Sequence, residues 1–151
     1  METTALVLAY VGVALMVGLA GIASAIGTAI AGQASLGAMK KNSNAFGSYM
    51  VLSALPGSQG LYGFVCFFMV QDALNDLDLV RGAAIFGIGL LVGMVNLAAA
   101  VFQAKVCANG INAIGNGQDV MGKTLTLAAF PELYAILTVA ATYLITSMIM
   151  A

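Results

Sequence analysis

Charged residues are absent from residues 3–39, 42–71 and 82–104, and residues 124–151 hold a single one, Glu132. A helix needs about 20 apolar residues to cross the hydrocarbon core of a bilayer. All four stretches meet that length, and the first two overrun it by a turn or more. The pattern predicts an all-α membrane protein of four transmembrane helices, forming a single membrane domain over 1–151.

Composition narrows the class further. The chain is 62% hydrophobic and 7% charged. That excludes disorder, and it lies far from the roughly one-quarter charged residues of soluble domains. The net charge of −1 leaves no basic excess for nucleic acid. There is no His, and the only cysteines are Cys66 and Cys107. A Cys/His zinc cluster, a histidine base and a Cys–His nucleophile are all excluded. No disulfide is expected, because Cys66 falls toward the outer end of span two and Cys107 beyond the inner end of span three.

The remaining charges sit in the predicted connections. Lys40 and Lys41 follow span one, and Asp72, Asp76, Asp78 and Arg81 lie between spans two and three. Lys105, Asp119 and Lys123 bracket the connection between spans three and four. The positive-inside rule then makes the lysine-bearing connections cytoplasmic and puts both termini on the non-cytoplasmic side. Met1-Glu2 supplies no positive n-region, and the apolar run is far longer than a signal core, so span one reads as retained.

Sliding the sequence by 72 places Leu19 on Leu91, Gly21 on Gly93, Asn44 on Asn116 and Tyr62 on Tyr134. We read this as a duplicated helical hairpin, 5–72 and 79–150, with Gly60 opposite Glu132. Spans one and three carry small-residue stripes: Ala14, Gly18, Gly21, Ala25, Thr28 and Gly32, then Gly82, Gly89, Gly93, Asn96, Ala100 and Ala104. Such stripes let helices approach closely in lipid. They serve either one four-helix bundle or a tight inner circle of odd spans in a homo-oligomeric ring, with the bulkier even spans outside.

Glu132 is the chemical signal. It stands about 13 Å of helix from Lys123, and no basic residue is expected at its depth. An unpaired carboxylate in a membrane costs several kcal/mol unless it is protonated or holds a cation. Span two offers a complement in Leu55-Pro-Gly-Ser-Gln-Gly-Leu-Tyr62. Positions 55, 58, 59 and 62 share one helix face. They present a carbonyl, the Ser58 hydroxyl, the Gln59 amide and the Tyr62 phenol, and Gln103 on span three adds a second amide. By itself that face suits interhelical hydrogen bonding; beside a lone Glu it suits a cation cage. Residues 117–124 match the phosphate-loop pattern G-x-x-x-x-G-K-[ST], which works only between a strand and a helix of a soluble domain. Here a glycine ending span three is the expected role, with Lys123 an interfacial anchor.

A doubled hairpin with Leu-Pro-Gly-Ser-Gln-Gly-Leu-Tyr-Gly in span two and Phe-Pro-Glu-Leu-Tyr-Ala in span four resembles the rotor-ring proteolipid (K or c subunit) of V-type (V/A-type) ATPases, most like the sodium-transporting members. The resemblance covers residues 5–150. It implies a ring of identical subunits in membrane lipid, turned by a soluble ATPase sector through a central-stalk subunit. It also implies a stator membrane subunit that supplies an arginine, and no catalytic activity in this chain itself. It implies a Na+ site of the Leu55 carbonyl, Ser58, Gln59, Gln103 and Glu132, with Tyr62 hydrogen-bonded to the carboxylate. Ser58 departs from the familiar Thr but keeps the hydroxyl. The implied setting is a prokaryotic cell membrane, with H+ as the alternative cargo. Two more distant readings are a small four-helix antiporter using a membrane Glu and a purely structural, pore-forming proteolipid.

Overall fold

The computed structural model describes residues 3–151, all of them helix or short connection; Met1 and Glu2 fall outside the described residues. Helix α1 spans Thr3–Met39, α2 Phe46–Ala54, α3 Ser58–Val70, α4 Leu79–Gly115 and α5 Met121–Met150. A 3₁₀ turn, Leu55–Gly57, joins α2 to α3, so the two together make one span broken at Pro56. Proline lacks the N–H that an interior helix position donates, and its ring crowds the preceding turn. Four segments are long and apolar enough to cross a membrane: Thr3–Met39, Ser43–Val70, Leu79–Gly115 and Met121–Met150.

The helix ends follow local chemistry. Asp78 caps α4 by accepting the Arg81 backbone N–H at 2.7 Å. At the other end of α4, Gly117 adopts φ +85°. Its N–H reaches Ile114 O at 2.9 Å and that of Gln118 reaches Ala113 O at 3.1 Å, a Schellman cap. Gly117 therefore ends span three, as expected, and no strand precedes α5 among the described residues.

Lys40, Lys41 and Lys123 share one end of the molecule, where Lys41 Nζ donates to Asn116 Oδ1 at 2.9 Å and ties the two turns together. Asp72, Asp76 and Asp78 mark the other end. There the Arg81 guanidinium donates to Ile149 O at 3.1 Å and Asp76 O at 2.8 Å, clamping α5 to the turn.

Two expectations about helix ends are corrected. Lys105 and Cys107 lie inside α4, not in a connection, because the helix runs on to Gly115 with Asn109 and Asn112 kept on its exposed face. Cys107 is wholly buried, as is Cys66, and both are free thiols. Lys105 is two residues, about 3 Å of rise, from Gln103, so a basic residue does share the depth of the Glu132 site. It points the other way. Its Nζ sits 5.2 Å from the Phe102 ring centroid, and no ion pair with Glu132 occurs among the described residues.

The core seam lies between α1 and α4, with α3 packed on α1 and α5 packed on α4 and α3. All six residues of the α4 stripe are buried. A Cβ on Gly82 would stand 2.5 Å from Ala5 O, and one on Gly89 would fall inside the Gly12 backbone. The facing residues of α1 are Ala5, Ala9, Gly12, Met16, Ala20, Ala23 and Gly27, a different stripe from the one singled out in the sequence. Ala14, Gly18, Gly21 and Ala25 are exposed, and a Cβ on Gly18 or Gly21 meets nothing within 4 Å among the described residues. The α4 stripe is thus used inside the chain, and the α1 stripe is left bare.

Candidate ion-binding site

The break at Pro56 is what opens the span-two backbone. Pro56 is buried against Gly27, where a Cβ would come within 2.5 Å of its own Cβ. The turn also disturbs the backbone pairing that follows. Ser24, half-buried on α1, repairs it by accepting the Gly60 N–H at 2.7 Å and donating to Gly57 O at 3.0 Å. Ser24 is silent in the sequence, because a serine in a small-residue stripe carries no chemical signature of its own. Ser24→Ala leaves the Gly60 N–H unpaired, whereas Gly57 O, just before α3, keeps the first hydrogen bond of that helix. The substitution should cost about 1–3 kcal/mol, read as a lower melting temperature of the purified protein, whereas Ser24→Thr should lose less.

Beyond the turn, four predicted residues converge. The Tyr62 phenol donates to Glu132 Oε1 at 2.7 Å, and Gln103 Nε2 donates to Glu132 Oε2 at 2.9 Å. The same Nε2 reaches Ala128 O at 3.0 Å, an acceptor the sequence did not reveal. Gln59 Nε2 donates to Gln103 Oε1 at 3.0 Å. Gln59 and Gln103 are wholly buried, and Glu132 is half-buried. Charge-assisted bonds of this kind are stronger than neutral ones, and together they orient both carboxylate oxygens.

The other two predicted ligands are hydrogen-bonded to each other. The Ser58 hydroxyl donates to Leu55 O at 3.0 Å, so the two satisfy each other. One atom has nothing: Gln59 Oε1 is buried without a hydrogen-bond partner among the described residues. A buried, unpaired amide oxygen costs free energy and asks for a donor or a cation. Beside Glu132, a hard cation meets that demand, since such ions take oxygen ligands.

Comparison with known proteins agrees with this architecture. The sequence family of the ATP synthase C subunit matches the chain twice, over residues 11–70 and 86–145. The K subunit of the A-type ATP synthase of Methanocaldococcus jannaschii is 34% identical over 131 residues, 87% of this chain and 58% of that protein. The K subunit of the V-type sodium ATPase of Enterococcus hirae is 36% identical over 118 residues, 78% of this chain and 76% of that protein. The chain thus spans somewhat over half the length of the first relative and three-quarters of the second.

The two family matches also correct the register of the duplication. Residue 11 corresponds to 86 and 70 to 145, a displacement of 75 rather than 72. Pro56 then falls on Pro131, Gly18 on Gly93 and Gly57, not Gly60, opposite Glu132. The chain belongs to the ATP synthase C-subunit family, as a tandem of two of its hairpins.

Proposed function

We propose that this chain is the rotor-ring subunit of a V/A-type ATPase and carries Na+ on Glu132, with Gln59, Gln103, Ser58 and the Leu55 carbonyl as further oxygen ligands. One observation carries the reading: Glu132 is held by Tyr62 and Gln103 beside the unpartnered buried Gln59 Oε1. A proton needs the carboxyl group alone and leaves that oxygen unused. Sodium uses it, and a small rotation of Ser58 frees a hydroxyl oxygen and the Leu55 carbonyl for the same ion. The relative from Enterococcus hirae bears a sodium ATPase name, which supports the same cargo.

The bare α1 stripe supports a ring of identical chains, with Ala14, Gly18, Gly21 and Ala25 against the next copy. One carboxylate per two hairpins follows from Gly57 at the matching position. In this reading, an arginine from a stator membrane subunit displaces the ion at each passage. The exposed Lys40, Lys41 and Lys123 face the cytoplasm and the central stalk, so both termini lie outside a prokaryotic cell membrane.

Carbodiimide chemistry tests the cargo. The reagent attacks a protonated carboxyl, so a cation bound at Glu132 should slow it. Millimolar Na+ near neutral pH should protect Glu132, K+ should protect less, and Gln59→Ala or Gln103→Ala should weaken the protection while the acid stays reactive. Protection absent at every pH, or indifferent to both substitutions, would replace sodium with a proton.

A further inference from the structure

The two hairpins treat the same proline differently. Pro56 and Pro131 correspond at the displacement of 75, and neither has an N–H to donate. Yet α5 runs unbroken through Pro131, whereas Leu55–Gly57 winds into a 3₁₀ turn and α3 begins only at Ser58. Proline is therefore not sufficient for the turn. What the first hairpin adds is Ser24, whose counterpart in the second is Ala99, and glycines at 57 and 60, where the second has Glu132 and Ala135. An unbroken helix would send the Gly60 N–H to the carbonyl of Pro56, four residues back. Here it goes to Ser24 Oγ at 2.7 Å, and the same hydroxyl donates to Gly57 O at 3.0 Å. A Cβ on Gly60 would stand 3.1 Å from that Oγ, so glycine lets the two helices come close enough to bond.

The two bonds grip the peptide groups on either side of Ser58 and Gln59. Three of the five oxygens proposed for Na+, those of Leu55, Ser58 and Gln59, thus ride on one turn that α1 holds. Ser24 is no ligand itself, since its proton and an acceptor site are both committed to backbone. We infer that Ser24 is a positioning residue, which sets the Na+ affinity of the site through the turn and leaves the proton affinity of Glu132 alone. It rests on the sodium reading of that site. Groups that orient a cation's ligands are worth about 10–100-fold in affinity, because ligands already in place give up less freedom on binding.

The carboxyl group is held by other means. Tyr62 and Gln103 bond to it, and Gln103 belongs to α4. Beyond the turn, α3 is locked against α1 at Gly63, where a Cβ would overlap that of Ala20 and stand 2.7 Å from Met16 O. Loss of the Ser24 hydroxyl therefore loosens the turn and spares the bonds to Glu132.

Carbodiimide labelling of Glu132 in the assembled protein, followed by peptide mass, reads both affinities. Its pH dependence without Na+ reports the proton, and Na+ titrated against it at fixed pH reports the metal. In Ser24→Ala the Na+ concentration for half-protection should rise about tenfold, while the pH midpoint without Na+ stays at that of the parent. Ser24→Thr keeps an oxygen that both donates and accepts, and should restore most of the protection. Ser24→Cys, with a weak donor and acceptor, should fall between, and it decides the matter if Ser24→Ala does not assemble. Tyr49→Phe is the structural control. It loses a hydrogen bond to Asn42 O at 2.9 Å in the same span, so it should melt earlier with its Na+ titration unmoved. An unmoved Na+ titration in Ser24→Ala, or in Ser24→Cys where that replaces it, overturns the role of Ser24. So does an equal shift of the pH midpoint, or of the Tyr49→Phe titration, since either means general loosening. A parent protein that Na+ never protects removes the sodium reading, and the role of Ser24 with it. Protection in the parent that Ser24→Ala leaves intact removes the role of Ser24 alone.

Discussion

Glu132→Gln should leave a folded, assembled protein that no longer transports ions or couples ATP hydrolysis to transport. The substitution keeps the shape and removes the charge. A carboxylate contributes about 4 kcal/mol to a monovalent cation 4 Å away at an effective dielectric of 20, which is on the order of 1,000-fold in affinity. Assembly survives because the amides can turn over together. A glutamine at 132 keeps its oxygen on the Tyr62 phenol and presents its amino group to residue 103. Gln103 then turns its oxygen toward 132, and Gln59 turns its own toward Gln103, so three of the original hydrogen bonds are remade. The bond to Ala128 O is lost, a cost of about 1 kcal/mol. Size-exclusion chromatography and ion flux in reconstituted membranes check both halves. Flux near that of the parent protein would make the carboxylate structural and remove the central claim.

Most of that site is legible in the sequence. A carboxylate alone in an apolar stretch is conspicuous because its cost is so large, and the Ser-Gln-Tyr face is conspicuous because its spacing is helical. What stays hidden depends on partners rather than on residue type. The register of the duplication slips by three, since stretches of Gly, Ala and Leu match at several offsets one turn apart; Pro56 and Pro131 are the better anchors. Charge alone would end α4 at its first lysine, yet a helix continues past a charge whenever that charge lies on an exposed face, as Lys105 does. The orphaned oxygen of Gln59 cannot be read from a string of letters at all. It is defined by what fails to reach it.

The small-residue stripes show the same limit, and two substitutions separate their roles. Gly93→Leu should prevent the chain from folding. Its Cβ alone would lie 2.7 Å from Leu15 O and 2.9 Å from Leu19 Cδ1, and the rest of the leucine would enter the α1–α4 seam. Backbone on the far side cannot yield, so the helices must part along their main contact; overpacking of this kind costs about 1–3 kcal/mol or more. Low yield and aggregation in mild detergent are the expected outcome. Gly21→Leu meets open space within the chain, so its helix content by circular dichroism and its melting as an isolated subunit should match the parent. Only the contact with the next copy is blocked, since two helices that meet through glycines cannot keep that distance with leucine between them. Native mass analysis should then find monomers and broken assemblies where the parent gives closed rings. A folded Gly93→Leu would mean the seam is softer than its geometry. Closed rings from Gly21→Leu would mean that the bare stripe faces lipid, and that the ring closes through another surface.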